Sequence, residues 1–224
     1  MRMGDVVRLD REPQLLDDLA DYLAERVAGC SVLDIGAAGG VEHYLPDHVD
    51  HWLHARLKRA AAEVFAIDID RTGIAHATRH GWPIQYADCQ TADLARTFDA
   101  AIMVEVIEHV ESPVRAIANT LKHLAPGGKL YLTTPNPTFL GDIVRTLRGR
   151  PMSVYWDHQA LFAPEHVQAM CDRHGFVLSE VRLFSQRDHR SPGNRLKSKI
   201  IARLGRWNAR LNTSWLGVIE AKQQ

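Results

Sequence analysis

Cysteine is scarce in this chain. Cys30, Cys89 and Cys171 are the only three in 224 residues, odd in number and far apart. That spacing fits neither a disulfide framework nor a cysteine-based zinc site, and the expected compartment is the reducing cytoplasm. No run of eighteen apolar residues occurs, so no spanning helix is expected. The first thirty residues contain no apolar stretch of the signal-peptide kind, so no such leader is expected either. Internal repeats and low-complexity linkers are missing as well. Net charge is also lacking, because 27 Lys and Arg balance 27 Asp and Glu. What is present is 46% hydrophobic and 24% charged residues, which argues against disorder and for one globular domain over residues 1–224. The zero sum hides an asymmetry. Between Arg182 and Arg210 nine Lys and Arg face a single acid, Asp188, so the remainder of the chain is acidic by the same margin.

Apolar periodicity predicts alternating helices and strands. Leu15, Leu16, Leu19, Leu23 and Val27 predict a helix over 13–28, and further helices are expected over 48–62, 72–80, 112–124 and 164–173. Short apolar runs predict strands at 31–35, 64–69, 84–86, 98–104, 129–133, 176–183 and 215–221. The expected fold is therefore α/β: a Rossmann-like, seven-stranded, mostly parallel sheet in a three-layer arrangement, with the last two strands forming an antiparallel edge hairpin.

The first strand, Val32-Leu33-Asp34-Ile35, runs into Gly36-Ala37-Ala38-Gly39-Gly40. Glycines there allow positive φ and close approach of a ligand, although a tight strand-to-helix turn needs them too. Open parallel sheets bind ligands at the carboxyl ends of their strands. The second strand ends in Asp68, placed to accept both hydrogen bonds of a ribose diol. A helix N-cap is the competing role, and Asp70 fits it better. The third strand leads into Asp88 and Cys89, where a carboxylate can accept from an exocyclic amine. No G-x-G-x-x-G occurs, which disfavours a dinucleotide.

Leu33-Asp34-Ile35-Gly36, Ile67-Asp68-Ile69-Asp70, Ala87-Asp88-Cys89, Phe98-Asp99-Ala100 and Leu124-Ala125-Pro126-Gly127-Gly128-Lys129-Leu130 together resemble the class I S-adenosylmethionine-dependent methyltransferases. The resemblance implies S-adenosyl-L-methionine as cofactor. It implies that Asp34, Gly36, Ala37 and Gly40 meet its amino-acid part, Asp68 its ribose and Asp88 its adenine, with Ile69, Cys89 and Glu105 also in the cofactor site. Ala38 stands where the family's alternation would place glycine.

Glu105-Val106-Ile107-Glu108-His109 follows the fourth strand directly. Two carboxylates and an imidazole suit a divalent cation such as Mg2+ or Zn2+, and Glu105 and Glu108 share a face if the segment turns helically. His158 is a fourth candidate ligand. Without a metal, His109 is the preferred general base, with Glu108 beside it. The run, together with Thr134-Pro135-Asn136, resembles the ubiquinone-biosynthesis O-methyltransferases. A similar cluster resembles the small-RNA 2′-O-methyltransferases. The leading expectation is O-methylation of a small-molecule hydroxyl on a phenol, quinol or sugar. An RNA 2′-O-methyltransferase and a non-catalytic cofactor-binding scaffold are the alternatives.

Residues 138–162 are long for a plain connector and are expected to form a substrate lid, with Arg145, Met152, Tyr155 and Trp156 as contacts, or else a locally packed helical excursion. Within a basic insertion over 185–212, Leu196, Ile200, Leu204, Trp207 and Leu211 form one stripe of an amphipathic helix. A helix over 195–211 can pack on the domain, lie on an anionic membrane surface as a peripheral contact, or meet phosphate. The region shows no array of base-stacking aromatics, which disfavours nucleic acid.

Overall fold

The computed structural model describes residues 6–185 and 203–222. Among the described residues, eight strands, mostly parallel with an antiparallel pair, combine with helices into the mixed α/β architecture that the alternating pattern implied. The chain divides into two compact units, Asp18–Leu132 and Met1–Asp17 with Thr133–Gln224.

In the unit Asp18–Leu132, the strands β2 (Ser31–Ile35), β3 (Glu63–Asp68), β4 (Gln85–Tyr86), β5 (Phe98–Val104) and the start of β6 (Leu124–Pro135) lie in the order β6-β5-β2-β3-β4. β2 is paired in parallel on both sides, with β3 and β5. A strand covered on both flanks and both faces must be apolar throughout, and Val32, Leu33 and Ile35 are buried accordingly. Asp34 is the buried polar exception within it, Ser31 at its start being only half-buried. Side-chain caps set the starts of the helices. Asp18 accepts from Ala20 N and Asp21 N and opens α1 (Leu19–Arg26). Asp70 accepts from Thr72 N at 2.9 Å and opens α3 (Arg71–Arg79), the role its position predicts. Ser112 opens α4 (Pro113–Lys122), with proline in the first turn where its missing N–H costs nothing.

Two expected helices are shorter than their patterns. Trp52 has an extended backbone, so α2 covers only Leu53–Ala60 and is preceded by a single turn at Val49–His51. The segment 13–28 splits at the Asp18 cap. Its first part, β1 (Gln14–Leu15), is an eighth strand where a helical turn was expected.

In the other unit, β1 pairs in parallel with β7 (Phe176–Phe184), and β7 pairs antiparallel with β8 (Ser214–Ala221). The expected hairpin is thus present, with β1 added on the far side of β7. Between β6 and β7 lie α5 (Leu140–Leu147) and α6 (Pro164–His174), the latter closed by Gly175 at φ 74°. The left-handed region that ends a helix this way suits glycine. Trp215 is fully buried and donates its indole N–H to Phe162 O at 2.7 Å.

Residues 203–207 are helical, Asn208 is extended, and Ala209–Leu211 form a separate turn capped by the Asn208 side chain. The single helix expected over 195–211 therefore breaks at Asn208, and its part before residue 203 lies outside the described residues. Along this end of the apolar stripe, Trp207 is 82% and Leu204 40% exposed, while Leu211 is half-buried. Among the described residues, no helix is long and apolar enough to cross a membrane.

Burial pushes the Cys89 and Cys171 thiols up to about 12, with the neighbouring acids Asp88 and Asp172 adding to the shift. Thiol reagents attack the thiolate. At pH 8 the native protein is expected to expose one reactive thiol, the half-buried Cys30, and three after denaturation. A count of two or three in the native state would contradict the burial of these side chains.

Candidate active site

The turn after β2 is held from several sides. Gly36 N donates to Ile67 O at 2.9 Å, tying it to β3. The buried indole of Trp52 donates to Ala37 O at 3.2 Å. Asp68 Oδ2 accepts from Ala38 N at 2.7 Å, and Asp68 Oδ1 accepts from Asp70 N at 2.8 Å. The Ala37–Ala38 peptide is therefore clamped at its flanking carbonyl by a tryptophan and at its N–H by a carboxylate. Ala37, Ala38, Val41, Trp52, Ala66 and Ala77 pack in one apolar cluster beneath it. Gly36 and Gly40 take φ values of 80° and 63°, and a Cβ at Gly36 would fall 2.6 Å from Val106 Cγ2. Gly36→Ala combines left-handed strain of about 1–2 kcal/mol with that clash. It is expected to lower both the unfolding midpoint and affinity for S-adenosylhomocysteine. An unchanged midpoint and affinity would show that Val106 yields freely.

Asp68 is buried and has both oxygens engaged by backbone N–H groups, leaving one lone pair on each for a ligand. Ile69 beside it is exposed. Asp88 is half-buried, and its Oδ1 accepts from Gln90 N at 2.8 Å, which fixes the carboxylate at the end of β4. Cys89 beside it is buried, and burial raises its thiol to about 12. Asp34 meets a partner that sequence reading missed. Its Oδ2 lies 2.7 Å from His54 Nδ1, and both side chains are buried. Burial raises the Asp34 carboxyl, against which the His54 hydrogen bond and charge act downward. Periodicity marks His54 only as a polar position on a helix, so nothing local pointed to this pair.

After β5 the chain turns sharply. Glu105 has a φ of 53°, and His109 N donates to Val106 O at 3.0 Å. A non-glycine residue in the left-handed region is uncommon and concentrates at functional sites. The run does not continue helically through Glu105, so the i, i+3 relation with Glu108 does not arise from a helix. Glu108 is fully buried and His109 half-buried, and ligand atoms of the two lie within 4.8 Å of each other. Val106, within the Glu105–His109 run, covers Gly36 of the glycine turn. His158 belongs to the other unit, where its N–H donates to Tyr155 O at 3.1 Å and its ring packs on Tyr155. Of the expected substrate contacts, Met152, Tyr155 and Trp156 are exposed, and Arg145 Nε donates to Pro151 O.

Residues 7–181 match the family described as "Methyltransferase domain". A ubiquinone biosynthesis O-methyltransferase of Xanthomonas oryzae pv. oryzae is 33% identical over 128 residues, covering 53% of this chain and 49% of the relative. One of Nitrosococcus oceani is 28% identical over 186 residues, covering 77% of this chain and 73% of the relative. The chain thus spans about half the length of the first of these relatives. Among solved structures, the N-methyltransferase NodS from Bradyrhizobium japonicum, in complex with S-adenosyl-L-homocysteine, superposes with a TM-score of 0.54 at 17% identity, over 91% of this chain and 84% of that one. At that identity the likeness is one of fold.

Proposed function

We propose that this chain, which belongs to the methyltransferase-domain family, transfers the methyl group of S-adenosyl-L-methionine to a hydroxyl oxygen of a small molecule, a phenol, quinol or sugar. The observation that carries this reading is the contact of Val106 with Gly36, because it puts the residue two positions before Glu108 and three before His109 on a clamped glycine turn. The donors around that turn fit the cofactor. Asp34 and the Gly36–Gly40 backbone face its amino-acid end, Asp68 keeps a lone pair on each oxygen for a diol, and Asp88 is fixed for an amine. The names of the relatives support oxygen as the acceptor atom.

When bound, the cofactor supplies an electrophilic methyl group on a sulfonium. What remains for the protein is to bring the acceptor oxygen into line and remove its proton. A His109 ring nitrogen takes that proton, and the buried Glu108 carboxylate favours the imidazolium so formed. The same two side chains are a donor set that hard or borderline divalent cations accept, and the sequence offers His158 as a third candidate ligand. Full activity in excess chelator leaves His109 as the base. Loss restored by Mg2+ or Zn2+ assigns the pair to a metal, and metal titration of His158→Ala tests the third ligand.

Two measurements test the proposal. Calorimetry with S-adenosylhomocysteine should show binding, and its absence would refute the cofactor assignment. A methyl-transfer assay against catechols, sugar nucleotides, lipid-linked sugars and short RNAs should show turnover on the small hydroxyls. Turnover confined to RNA would instead favour the 2′-hydroxyl reading, which the basic 182–210 segment supports. Residues 138–162 serve in this reading as a substrate-binding cover. Exposed Leu204 and Trp207, beside Arg203 and Arg206, suit a peripheral contact with anionic lipid. Sedimentation with anionic vesicles, lost on charge reversal of Arg203 and Arg206, tests that contact.

A further inference from the structure

We propose that His54 is a positioning residue of the cofactor site, holding the Asp34 carboxylate so that its second oxygen is presented to the amine end of the ligand. The inference rests on the reading of the β2 turn as the place where S-adenosyl-L-methionine binds.

Asp34 is 4% exposed, between the buried apolar Leu33 and Ile35. A carboxylate so placed is costly unless it is paired and hydrogen-bonded. Its Oδ2 is taken by His54 Nδ1 at 2.7 Å. No other hydrogen bond to this carboxylate occurs among the described residues, so Oδ1 is the oxygen left to accept. It sits two residues before Gly36, at the carboxyl end of a central parallel strand, which is where ligands enter such sheets.

His54 is itself 2% exposed and firmly fixed. Its ring lies 4.9 Å from that of Trp52 and 5.8 Å from that of Trp82, and the two indoles pack edge to face at 5.2 Å. Trp52 is also the residue that clamps Ala37 O. The connection between β2 and β3, from Gly36 to Ala62, is therefore more than a crossover. It returns Trp52 to the carbonyl side of the turn and His54 to the acid beneath it. The His54 Nε2 atom is buried with no hydrogen-bond partner. Core packing alone would be served better by an apolar ring, since an unsatisfied buried polar atom is destabilising. The charged groups facing Asp34 are His54, which favours its ionised form, and Asp68, which opposes it. Lys58 Nζ lies over the Trp82 ring, 5.7 Å from its centroid. Among the described residues, His54 is thus the group whose N–H and charge favour the ionised, accepting form of Asp34, the form an ammonium ligand requires.

The test is calorimetry with S-adenosylhomocysteine on wild type, His54→Phe, His54→Asn, Asp34→Asn and the His54→Phe/Asp34→Asn double variant, with thermal unfolding of each. Phenylalanine keeps the ring between the two tryptophans and removes the donor. Asparagine keeps an amide N–H near the Nδ1 position. The expected result is a loss of about tenfold or more in affinity for His54→Phe. His54→Asn should restore affinity to within about threefold, and no further loss should follow when His54→Phe is added to Asp34→Asn. Equal affinity of wild type and His54→Phe, whatever the unfolding midpoint, would overturn the inference and leave the cofactor reading intact. No binding by wild type would overturn that reading itself. If His54→Phe does not fold, the wild-type Nδ1–H resonance decides: a shift on adding the ligand supports the coupling, and an unmoved resonance overturns it.

Discussion

Asp68→Ala is expected to lower the affinity for S-adenosylhomocysteine roughly a hundredfold and to destabilise the protein by about 3–6 kcal/mol, on the scale of two lost hydrogen bonds to a charged group. The two effects share one cause. The carboxylate accepts from Ala38 N on one oxygen and from Asp70 N on the other. Its removal leaves one N–H of the glycine turn and one at the start of α3 without an acceptor. The turn loses the clamp opposite Trp52, so the ligand meets a site that must be ordered anew. Asp68→Asn retains one acceptor oxygen but turns a donor toward the other N–H, and should fall between wild type and alanine in both measurements. Calorimetry and urea unfolding on the three proteins provide the check. Wild-type affinity in Asp68→Ala would show that the carboxylate has no part in the cofactor site.

The second large effect concerns His109 and Glu108. His109→Ala is expected to reduce turnover by about 10²–10⁴, the range that a positioned acid or base contributes, while affinity for S-adenosylhomocysteine stays within about threefold. Glu108→Gln should lower turnover in the same direction, because its fully buried carboxylate is what favours a positive charge nearby. The separation of turnover from cofactor affinity is the diagnostic. A parallel loss of both in His109→Ala would place the imidazole in the cofactor cradle rather than at the acceptor. Val106, which precedes Glu108 and His109 in the chain and touches Gly36, is the structural reason for expecting acceptor chemistry near the glycine turn yet separable from it.

Much of this site was legible before any tertiary contact was known, because its signals are local. A buried strand ending in glycine, acids at three successive strand ends and an acid–acid–histidine run after a fourth strand need only the order of residues along the chain. The Asp70 and Ser112 caps and the Gly175 stop were legible for the same reason, since the capping group and the capped N–H or C=O lie within a few residues of each other. The helix expected across 13–28 failed where two signals competed. Leu15 fits a helical stripe, yet the Asp18 cap starts the helix later and frees Gln14–Leu15 to pair with Arg182–Leu183, far away in sequence. Glu105 is similar. Its left-handed backbone follows from how β5 must turn, and the residue type gave no notice of it.

By itself, the order of amino acids determined the α/β class, the place of the glycine turn, and which acids and histidines stand at strand ends. Tertiary structure alone decided how those groups are partnered: His54 with Asp34, Trp52 with Ala37, Asp68 with Ala38. Spacings of fifteen to thirty residues separate these partners. Hydrophobic period reports which face of an element is buried, but not which polar atom of another element it meets. That meeting is set by the path of the connection between β2 and β3, and hydrogen-bond geometry, unlike burial, is satisfied or lost within a few tenths of an ångström.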